Sequence, residues 1–205
     1  MKTLNVPFHK GGFMKDTGES YRIDVVNWKE FSYRPEVSFQ IAYDEDNLYL
    51  RYEVKEDCVR ARAAKNNGHV WLDSCVEFFL SPEGNNEYYN LECNCIGTKL
   101  LGYQKPSVQP EHASDEIINN IRVCSSLGNE PFEEKTGDFS WLLEMEIPWK
   151  SFWKHRISGL GGKTMRANFY KCGDELSKPH FLSWNPIQTE KPSFHQPRFF
   201  GELIF

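Results

Sequence analysis

The sequence has no long hydrophobic run, and this absence excludes a membrane-spanning helix, which needs about 20 consecutive apolar residues. It also lacks a stripe of basic residues. The formal net charge of −5 disfavours nucleic acid as a partner, because phosphate backbones attract positively charged proteins. Residues 1–7 contain no apolar segment of the kind found in secretory signals. The sequence therefore predicts a protein with neither nucleic-acid nor membrane partners.

Several chemical motifs are also missing. The six histidines show no H-x-H or H-E-x-x-H spacing, which disfavours a transition-metal site, and no glycine-rich phosphate loop occurs. The six cysteines form no C-x-x-C pair, and a chain of 205 residues is large enough to fold without disulfides. No Asn-x-Ser/Thr acceptor is present. These features predict free thiols and a cytoplasmic location; a secreted form with its signal removed is the alternative.

What the sequence has is abundant apolar residues in alternation with polar ones. Hydrophobic residues make up 40% of the chain and aromatic residues 15%, which is ample for a globular core. Alternation with a period of two predicts β-strands, whose successive side chains point to opposite faces. The five most regular strands are predicted at residues 37–43, 48–54, 75–80, 88–96 and 141–147.

The remaining segments complete an all-β prediction. Further strands are expected at 117–125, 165–172 and 199–205, separated by polar loops at 57–68, 128–138 and 178–191. Pro148 favours one short helix over residues 149–153. We therefore predict an antiparallel two-sheet β-sandwich of the jelly-roll or immunoglobulin type, forming a single domain over residues 1–205. Residues 1–34, with turn signals at Gly11-Gly12 and Asp16-Thr17-Gly18, should be an irregular segment packed on it, with a candidate short strand at residues 21–25.

The stretch at residues 69–81 combines a loop tryptophan with a carboxylate on a strand. The indole of Trp71 is suited to stack on the apolar face of a sugar ring, and Glu77 is suited to accept hydrogen bonds from hydroxyl groups. The alternative is that Trp71 closes the end of a sheet core and Glu77 is solvated. A second tryptophan, Trp184, lies in the polar segment 178–191, where a core role is not obvious, so the two indoles could face each other across one slot.

Acidic residues allow two other interpretations. A glycosidase would need a pair of carboxyl groups, and the candidates are Asp73, Glu77, Glu92, Glu144 and Glu146. Nothing distinguishes an acid from a base among them. The run Asp44-Glu45-Asp46-Asn47 is rich in oxygen ligands, but it lacks the spacing and glycine of a calcium-binding EF-hand loop. It is better interpreted as a hairpin turn.

Five segments, in this order, resemble the family 9 carbohydrate-binding modules, especially the family 9-like domains of bacterial proteins. The resemblance extends from about Pro35 to the C-terminus. Its pieces are Ala42-Tyr43-Asp44 with Asn47-Leu48-Tyr49-Leu50, Trp71 with residues 73–79, Met165-Arg166-Ala167-Asn168-Phe169-Tyr170, Trp184, and residues 194–203.

The resemblance implies a β-sandwich that binds the end of a sugar chain between two tryptophans. Carried over to this sequence, it implies Trp71 and Trp184 as the clamp, Glu77 as a hydroxyl acceptor, Lys99 as the basic group and Asn185 as the amide. It also implies a structural calcium ion, whose ligands the sequence does not identify. Such modules are often attached to xylan-degrading enzymes but are not themselves catalytic.

The function expected from the sequence is therefore non-catalytic binding of a small sugar or glycan end. One alternative is a structural or interaction module that has the same sandwich without the sugar site, since a fold alone does not specify a function. Another is a glycoside-processing enzyme, which would require two carboxyl groups converging in a cleft, at least one of them with a raised pKa.

Overall fold

A computed structural model describes residues 1–10 and 19–205. The turns predicted at Gly11-Gly12 and Asp16-Thr17-Gly18 lie outside this part of the chain. The described strands, numbered in chain order, are β1 Thr3–Asn5, β2 Tyr21–Arg22, β3 Val25–Val26, β4 Glu36–Tyr43, β5 Asn47–Ala61, β6 Cys75–Ser81, β7 Tyr88–Asn94, β8 Lys99–Gln104, β9 Glu111–His112, β10 Arg122–Ser125, β11 Phe132–Pro148, β12 Thr164–Cys172, β13 Phe181–Ser183 and β14 Gly201–Ile204.

These strands form two sheets, as predicted. The larger sheet has the order β1-β14-β12-β6-β7-β8-β9, with β13 also pairing with β12 and β3 pairing with β13. The smaller sheet has the order β10-β11-β5-β4-β2. Strand pairs are antiparallel except for β1 with β14. The predicted all-β, two-sheet sandwich is confirmed.

The main core lies between the two sheets. Alternate residues of each strand point into it: Phe78 of β6 and Phe169 of β12 from the larger sheet meet Phe39 of β4 from the smaller one. The rings of Phe39 and Phe169 are stacked, with centroids 3.8 Å apart and an interplanar angle of 20°. Stacked rings of this kind add to the stabilisation that burial alone provides.

A second apolar layer covers the outer face of the larger sheet. Phe79, the neighbour of Phe78, points to this face, as do Tyr170 and Cys172 of β12. The chain between β13 and β14, residues 184–200, supplies much of the cover. Its Phe194 ring stacks on Tyr170 with centroids 4.2 Å apart and an interplanar angle of 8°. The central strands of this sheet are consequently buried on both faces.

The five most regular strands predicted from the sequence are all present. Residues 44–47 form the expected hairpin turn between β4 and β5: Asp44 Oδ1 accepts hydrogen bonds from the backbone N–H groups of Asp46 and Asn47, and Asp44 Oδ2 accepts one from the Tyr49 hydroxyl. Both carboxylate oxygens are thus engaged within the protein. The turn does not fit a calcium site, because the Asp44 carboxylate already accepts hydrogen bonds from within the protein.

Four segments differ from the prediction. The 57–68 segment is partly strand, because β5 continues to Ala61 and pairs there with the start of β11. The long strand β11 likewise begins within the predicted loop 128–138. Strand β13 lies within the predicted loop 178–191. Within residues 1–34, β2 and β3 fall at the candidate strand 21–25, and β1 was not expected. Pairing with distant strands extends or creates each of these elements.

The predicted helix and one predicted strand are also corrected. Residues Trp149–Ser151 form a single 3₁₀ turn, and the short α-helix α1 is instead Asp115–Asn119. It overlaps the first half of the strand predicted at 117–125, whose second half is β10. Ser114 caps it, since its side chain accepts a hydrogen bond from the Ile117 N–H. Other 3₁₀ turns are Val70–Leu72 and Pro197–Phe199. No helix within residues 1–10 and 19–205 has the length and apolar character needed to cross a bilayer.

Candidate functional site

A cavity of about 430 Å³ lies on the outer face of the larger sheet. Strands β6, β7, β8 and β12 contribute its floor, and the covering segment 184–200 contributes part of its wall. The volume is in the range of small-molecule sites, about 300–1,000 Å³. Of the residues predicted from the sequence, Trp71 and Glu77 both line it.

Two carboxyl groups lie side by side on the floor. Glu77 of β6 and Glu92 of β7 are directly opposite each other across the two strands, and both side chains are on the outer face. They are 3% and 4% exposed. Burial raises the pKa of Glu77 well above its ordinary value, and the neighbouring Glu92 raises it further. Burial also raises the pKa of Glu92, to about 7.

The two oxygens of Glu92 are in different situations. Its Oε1 accepts a hydrogen bond of 2.9 Å from the Asn90 side-chain amide. Its Oε2 is buried and has no hydrogen-bond partner among the residues that the structure describes. A buried acceptor without a donor is unfavourable by about 1–3 kcal/mol. A ligand that brings a donor to this oxygen would recover that free energy.

A chain of amide groups fixes the position of Glu92. Gln104 Nε2 donates to Asn90 Oδ1 over 3.1 Å, and Asn90 in turn donates to Glu92. Gly102 lies opposite Asn90 on β8. A Cβ atom at Gly102 would be only 2.5 Å from Asn90 Oδ1, so the glycine makes room for the Asn90 amide to lie across the neighbouring strand. Glycine in a strand interior is typical of such a close approach.

The third carboxyl group is that of Asp174, just after β12. It also lines the cavity, and burial raises its pKa to about 6. Between it and Glu77 lies Cys172, whose Sγ–H donates to Glu77 Oε1 over 3.1 Å. Burial raises the pKa of the Cys172 thiol well above its ordinary value, so this thiol is protonated and available as a donor.

Cys75, Glu77 and Cys172 each place a potential metal ligand atom within 4.8 Å of the other two. Two thiols in this set make it unlike a calcium site, because calcium takes oxygen ligands. The ligand set is closer to the preference of zinc. The cluster thus gives no support to the structural calcium implied by the family resemblance.

Aromatic side chains form the walls. Trp71 is half-buried in the 3₁₀ turn Val70–Leu72, with the His69 ring 4.7 Å away at an angle of 40°. Phe181, Phe194 and His195 also line the cavity. His195 Nδ1 is 2.9 Å from the Tyr88 hydroxyl, and burial lowers its pKa. His195 is therefore neutral at pH 7, and the aromatic walls surround an acidic floor.

A buried ion pair anchors the segment that bears Trp71. Asp73 Oδ1 accepts from Arg60 Nε over 3.1 Å, and Oδ2 accepts from the backbone N–H groups of Arg62 and Ala63, each over 2.9 Å. Arg60 also donates to the carbonyl oxygen of Leu72. Asp73, a candidate carboxylate in the sequence, therefore holds the tryptophan turn against β5. It does not line the cavity.

Trp184 is placed differently from the prediction. It is 3% exposed and lies in the core between the sheets, edge-on to Phe39 at 6.2 Å and to Phe169 at 5.6 Å. Its indole also packs on Gly201, where a Cβ would be 2.4 Å from the ring. The prediction that Trp71 and Trp184 line one slot is therefore wrong: Trp184 directly follows β13, its side chain points inward like that of Leu182, and the two indoles belong to different apolar layers.

Lys99 and Asn185 do not line the cavity either. Lys99 shares a face of β8 with Leu101, which points into the core, and so lies on the opposite side of the sheet from Glu77. Burial lowers its pKa. Asn185 is buried, where its Oδ1 accepts from the Lys2 N–H and its Nδ2 donates to the carbonyl oxygen of Phe199. It ties the two ends of the chain together.

The other glycosidase candidates have ordinary surroundings. Glu144 and Glu146 lie on β11 in the smaller sheet, where they pair with Arg51 and Arg122 respectively. A larger depression, of about 880 Å³, crosses the outer face of that sheet. Four of its charged lining residues form ion pairs within it, Arg51 with Glu53 and Arg34 with Asp24. This is the pattern of a solvated sheet face, so the smaller cavity is the better candidate.

Comparisons with known proteins agree with this architecture. Residues 10–205 match the family model described as "Carbohydrate-binding family 9". A crystal structure of a candidate carbohydrate-binding protein from Bacteroides uniformis ATCC 8492 is 46% identical, with a TM-score of 0.92 and 98% of each chain covered. A comparison with curated proteins finds no match.

More distant structures share the fold. A family 9 module from Caldicellulosiruptor kristjanssonii in complex with glucose is 14% identical, with a TM-score of 0.63 over 99% of this chain and 95% of that one. A second structure, in complex with cellotriose, is 13% identical with the same TM-score, over 99% and 93% of the two chains.

Proposed function

Because this chain belongs to carbohydrate-binding family 9, we propose that it binds a small sugar or glycan end in the cavity lined by Trp71, Glu77 and Glu92. The observation that carries this proposal is the Glu92 Oε2 atom, a buried acceptor without a donor in the described chain, beside a half-buried tryptophan. A sugar brings hydroxyl donors for Glu92 Oε2 and an apolar ring face for the Trp71 indole.

The residues that line the cavity have separate roles in binding the sugar. Trp71 provides the stacking surface, and its turn is held in place by Asp73 and Arg60. Glu92, fixed by Asn90, accepts from one hydroxyl group. Glu77 is a second polar group on the floor, already bound to the Cys172 thiol. Since Trp184 is in the core, the aromatic surface beyond Trp71 comes from Phe181 and Phe194.

Binding should be weak. Stacking on one aromatic face contributes roughly 1–3 kcal/mol, by analogy with base–aromatic stacking. A hydrogen bond to a charged group adds about 1.5–3 kcal/mol. After the entropy lost on association, a dissociation constant on the order of micromolar to millimolar is expected.

Isothermal titration calorimetry with a panel of mono- and oligosaccharides tests the proposal. Trp71→Ala should weaken binding about tenfold or more, which corresponds to 1.4 kcal/mol. Trp153→Ala is the matched control, since Trp153 is also half-buried but lies outside the cavity. Equal losses in both variants, or no sugar bound by the wild type, would favour the structural or interaction module over the sugar-binding function.

A glycoside-processing enzyme is the second candidate, favoured by one observation: two carboxyl groups with raised pKa converge in the cavity. A glycosidase, however, places its acid and its nucleophile or base on either side of the scissile bond. Glu77 and Glu92 are neighbours on one floor and would contact the same side of a ligand. Release of nitrophenol from nitrophenyl glycosides by the wild type, abolished in Glu92→Gln, would decide for the enzyme.

A further inference from the structure

We infer that the cavity selects sugars that carry a free primary amino group, such as hexosamines, over their neutral, N-acetylated and acidic counterparts. This inference rests on the proposed sugar-binding function and specifies its ligand class. It follows from the charges that line the cavity, the state of Glu92 Oε2 and the aromatic walls.

The cavity is acidic. Glu77, Glu92 and Asp174 contribute three carboxyl groups, and among the described residues that line it there is no lysine or arginine. Carboxylate or phosphate groups on a sugar would meet no cationic partner there and would be repelled by the floor. The absence of a basic group makes acidic sugars poor ligands and leaves the negative potential of the floor available to a cation.

The other titratable groups near the floor do not neutralise it. The cation that acts electrostatically on Glu77 is Lys171, which lies on the opposite face of the sheet. There it is fully buried, 2.9 Å from Glu56 Oε2 and 2.8 Å from His180 Nε2. The Cys75 and Cys172 thiols have pKa values raised by burial and carry no charge.

Three histidines also line the cavity: His69, His112 and His195. Desolvation of the His195 ring lowers its pKa, so it is neutral at pH 7, and its Nδ1 is engaged with the Tyr88 hydroxyl. His112 is on the edge strand β9 and is exposed to solvent. His69 packs on the Trp71 ring. The three buried or partly buried carboxyl groups thus dominate the electrostatics of the floor.

Glu92 Oε2 fits an ammonium group well. It is a buried acceptor without a donor in the described part of the chain. The other carboxylate oxygen, Oε1, accepts from Asn90, which holds the side chain in place. A hydroxyl group offers one donor, whereas an ammonium group offers three and adds charge. Three donors can engage Glu92 together with Glu77, its direct neighbour across the strands.

Two further features support a cation. The indole of Trp71 at the wall can contribute a cation–π interaction. In addition, burial raises the pKa values of Glu92 and Asp174, and the charge of Asp174 raises that of Glu92 further, so the cavity without ligand holds protons that a cation would displace. A cationic ligand relieves both the desolvation and the repulsion.

Calorimetry at pH 7 and low ionic strength, in the presence of EDTA, tests the inference with four probes: glucosamine, glucose, N-acetylglucosamine and glucuronate. The four corresponding galactose derivatives are tested as well, so that a preference for the galactose configuration is not mistaken for a failure to bind. We expect the amino sugar to bind at least tenfold more tightly than its neutral counterpart, with the acidic sugar undetectable. Raising the salt concentration should weaken glucosamine binding more than glucose binding.

Glu92→Gln should lower the glucosamine-to-glucose affinity ratio by at least fivefold, while Glu53→Gln, on the exposed face of the smaller sheet, leaves it unchanged. Circular dichroism confirms that both variants fold. Neutral sugars that bind as tightly as amino sugars would overturn the inference and leave the proposed function standing. Failure of all these probes to bind would overturn the inference, whereas the proposed function falls only if the oligosaccharides of the first panel also fail to bind. A preference retained in Glu92→Gln would overturn the assignment to Glu92.

Discussion

Glu77 and Glu92 face each other across two adjacent strands, buried on the same side of the sheet and in the same cavity. Like charges directly opposite on neighbouring strands are destabilising. The molecule tolerates the pair because burial raises the pKa values of both groups, so that the two do not carry full negative charges together at neutral pH. Such an arrangement is unfavourable for folding alone, which is why it indicates a binding site.

The first prediction concerns Gly102. Gly102→Ala should lower sugar affinity about tenfold, because the new Cβ would displace the Asn90 amide and leave Glu92 Oε1 without its donor. Calorimetry with the best ligand of the panel measures the loss. Gly161→Ala is the control: a Cβ there meets no atom within 4 Å. Equal affinity in Gly102→Ala and the wild type would show that the amide chain does not position Glu92.

The second prediction separates the two tryptophans. Trp184→Ala should reduce the free energy of unfolding by about 3–5 kcal/mol, because it leaves a cavity between the sheets. Trp71→Ala, at a half-buried site, should cost about 1 kcal/mol. Urea denaturation followed by far-UV circular dichroism measures both. If Trp184→Ala is as stable as Trp71→Ala, the indole of Trp184 is not a core residue.

The third prediction concerns protons. With pKa values of about 7 for Glu92 and about 6 for Asp174, both carboxyl groups hold a substantial share of protons at pH 6. An ammonium ligand favours their ionised forms and so lowers both pKa values. Amino-sugar binding at pH 6 should therefore release protons, on the order of one per ligand.

The released protons can be measured by titrations in two buffers that differ in ionisation enthalpy. The observed binding enthalpy should change in proportion to the buffer enthalpy for glucosamine and much less for glucose. Raising the pH from 5 to 7 should strengthen amino-sugar binding, since fewer protons remain to be displaced. A glucosamine enthalpy independent of buffer would contradict the prediction.

The fourth prediction concerns the cysteines. Cys124 is exposed, whereas the other five cysteines are buried, with thiol pKa values raised by that burial. A thiol reagent such as dithionitrobenzoate should react rapidly with one thiol in the native protein and with six after denaturation without reductant. Two or fewer thiols after denaturation would reveal disulfides, and rapid reaction of several native thiols would contradict their burial.

The sequence predicted the strands well where one face is apolar and the other polar. Residues 37–43 and 88–96 are clear cases. The cavity residues Trp71 and Glu77 were also predicted, from a tryptophan just before a strand that carries a carboxylate. Glu92 was visible only as one of five possible acids. The signal that could have singled it out is the polar series Asn90, Glu92 and Asn94 on a central strand whose other face is apolar, since such a series is buried when a second layer covers it.

The errors arose where contacts between distant residues decide the structure. Trp184 looked like a loop residue because its neighbours are polar, yet the Gly201 backbone and Phe169 enclose it. Helix α1 was mistaken for a strand because Ile117 and Ile118 are β-branched. Ser114, followed by Asp115 and Glu116, was a local N-cap signal that could have corrected this interpretation.

The two faces of β6 have a consequence for how this protein can diversify. Phe78 packs between the sheets while Glu77 and Phe79 point to the ligand side, so an insertion or deletion in this strand would exchange the two sets and disrupt folding and recognition together. Ser193 of the covering segment 184–200 lines the same cavity but lies outside the strands, so a change there leaves the strand alternation intact. New ligand preferences in descendants of this chain should therefore arise from changes in that segment, while the alternation of inward and outward side chains in the floor strands stays the same.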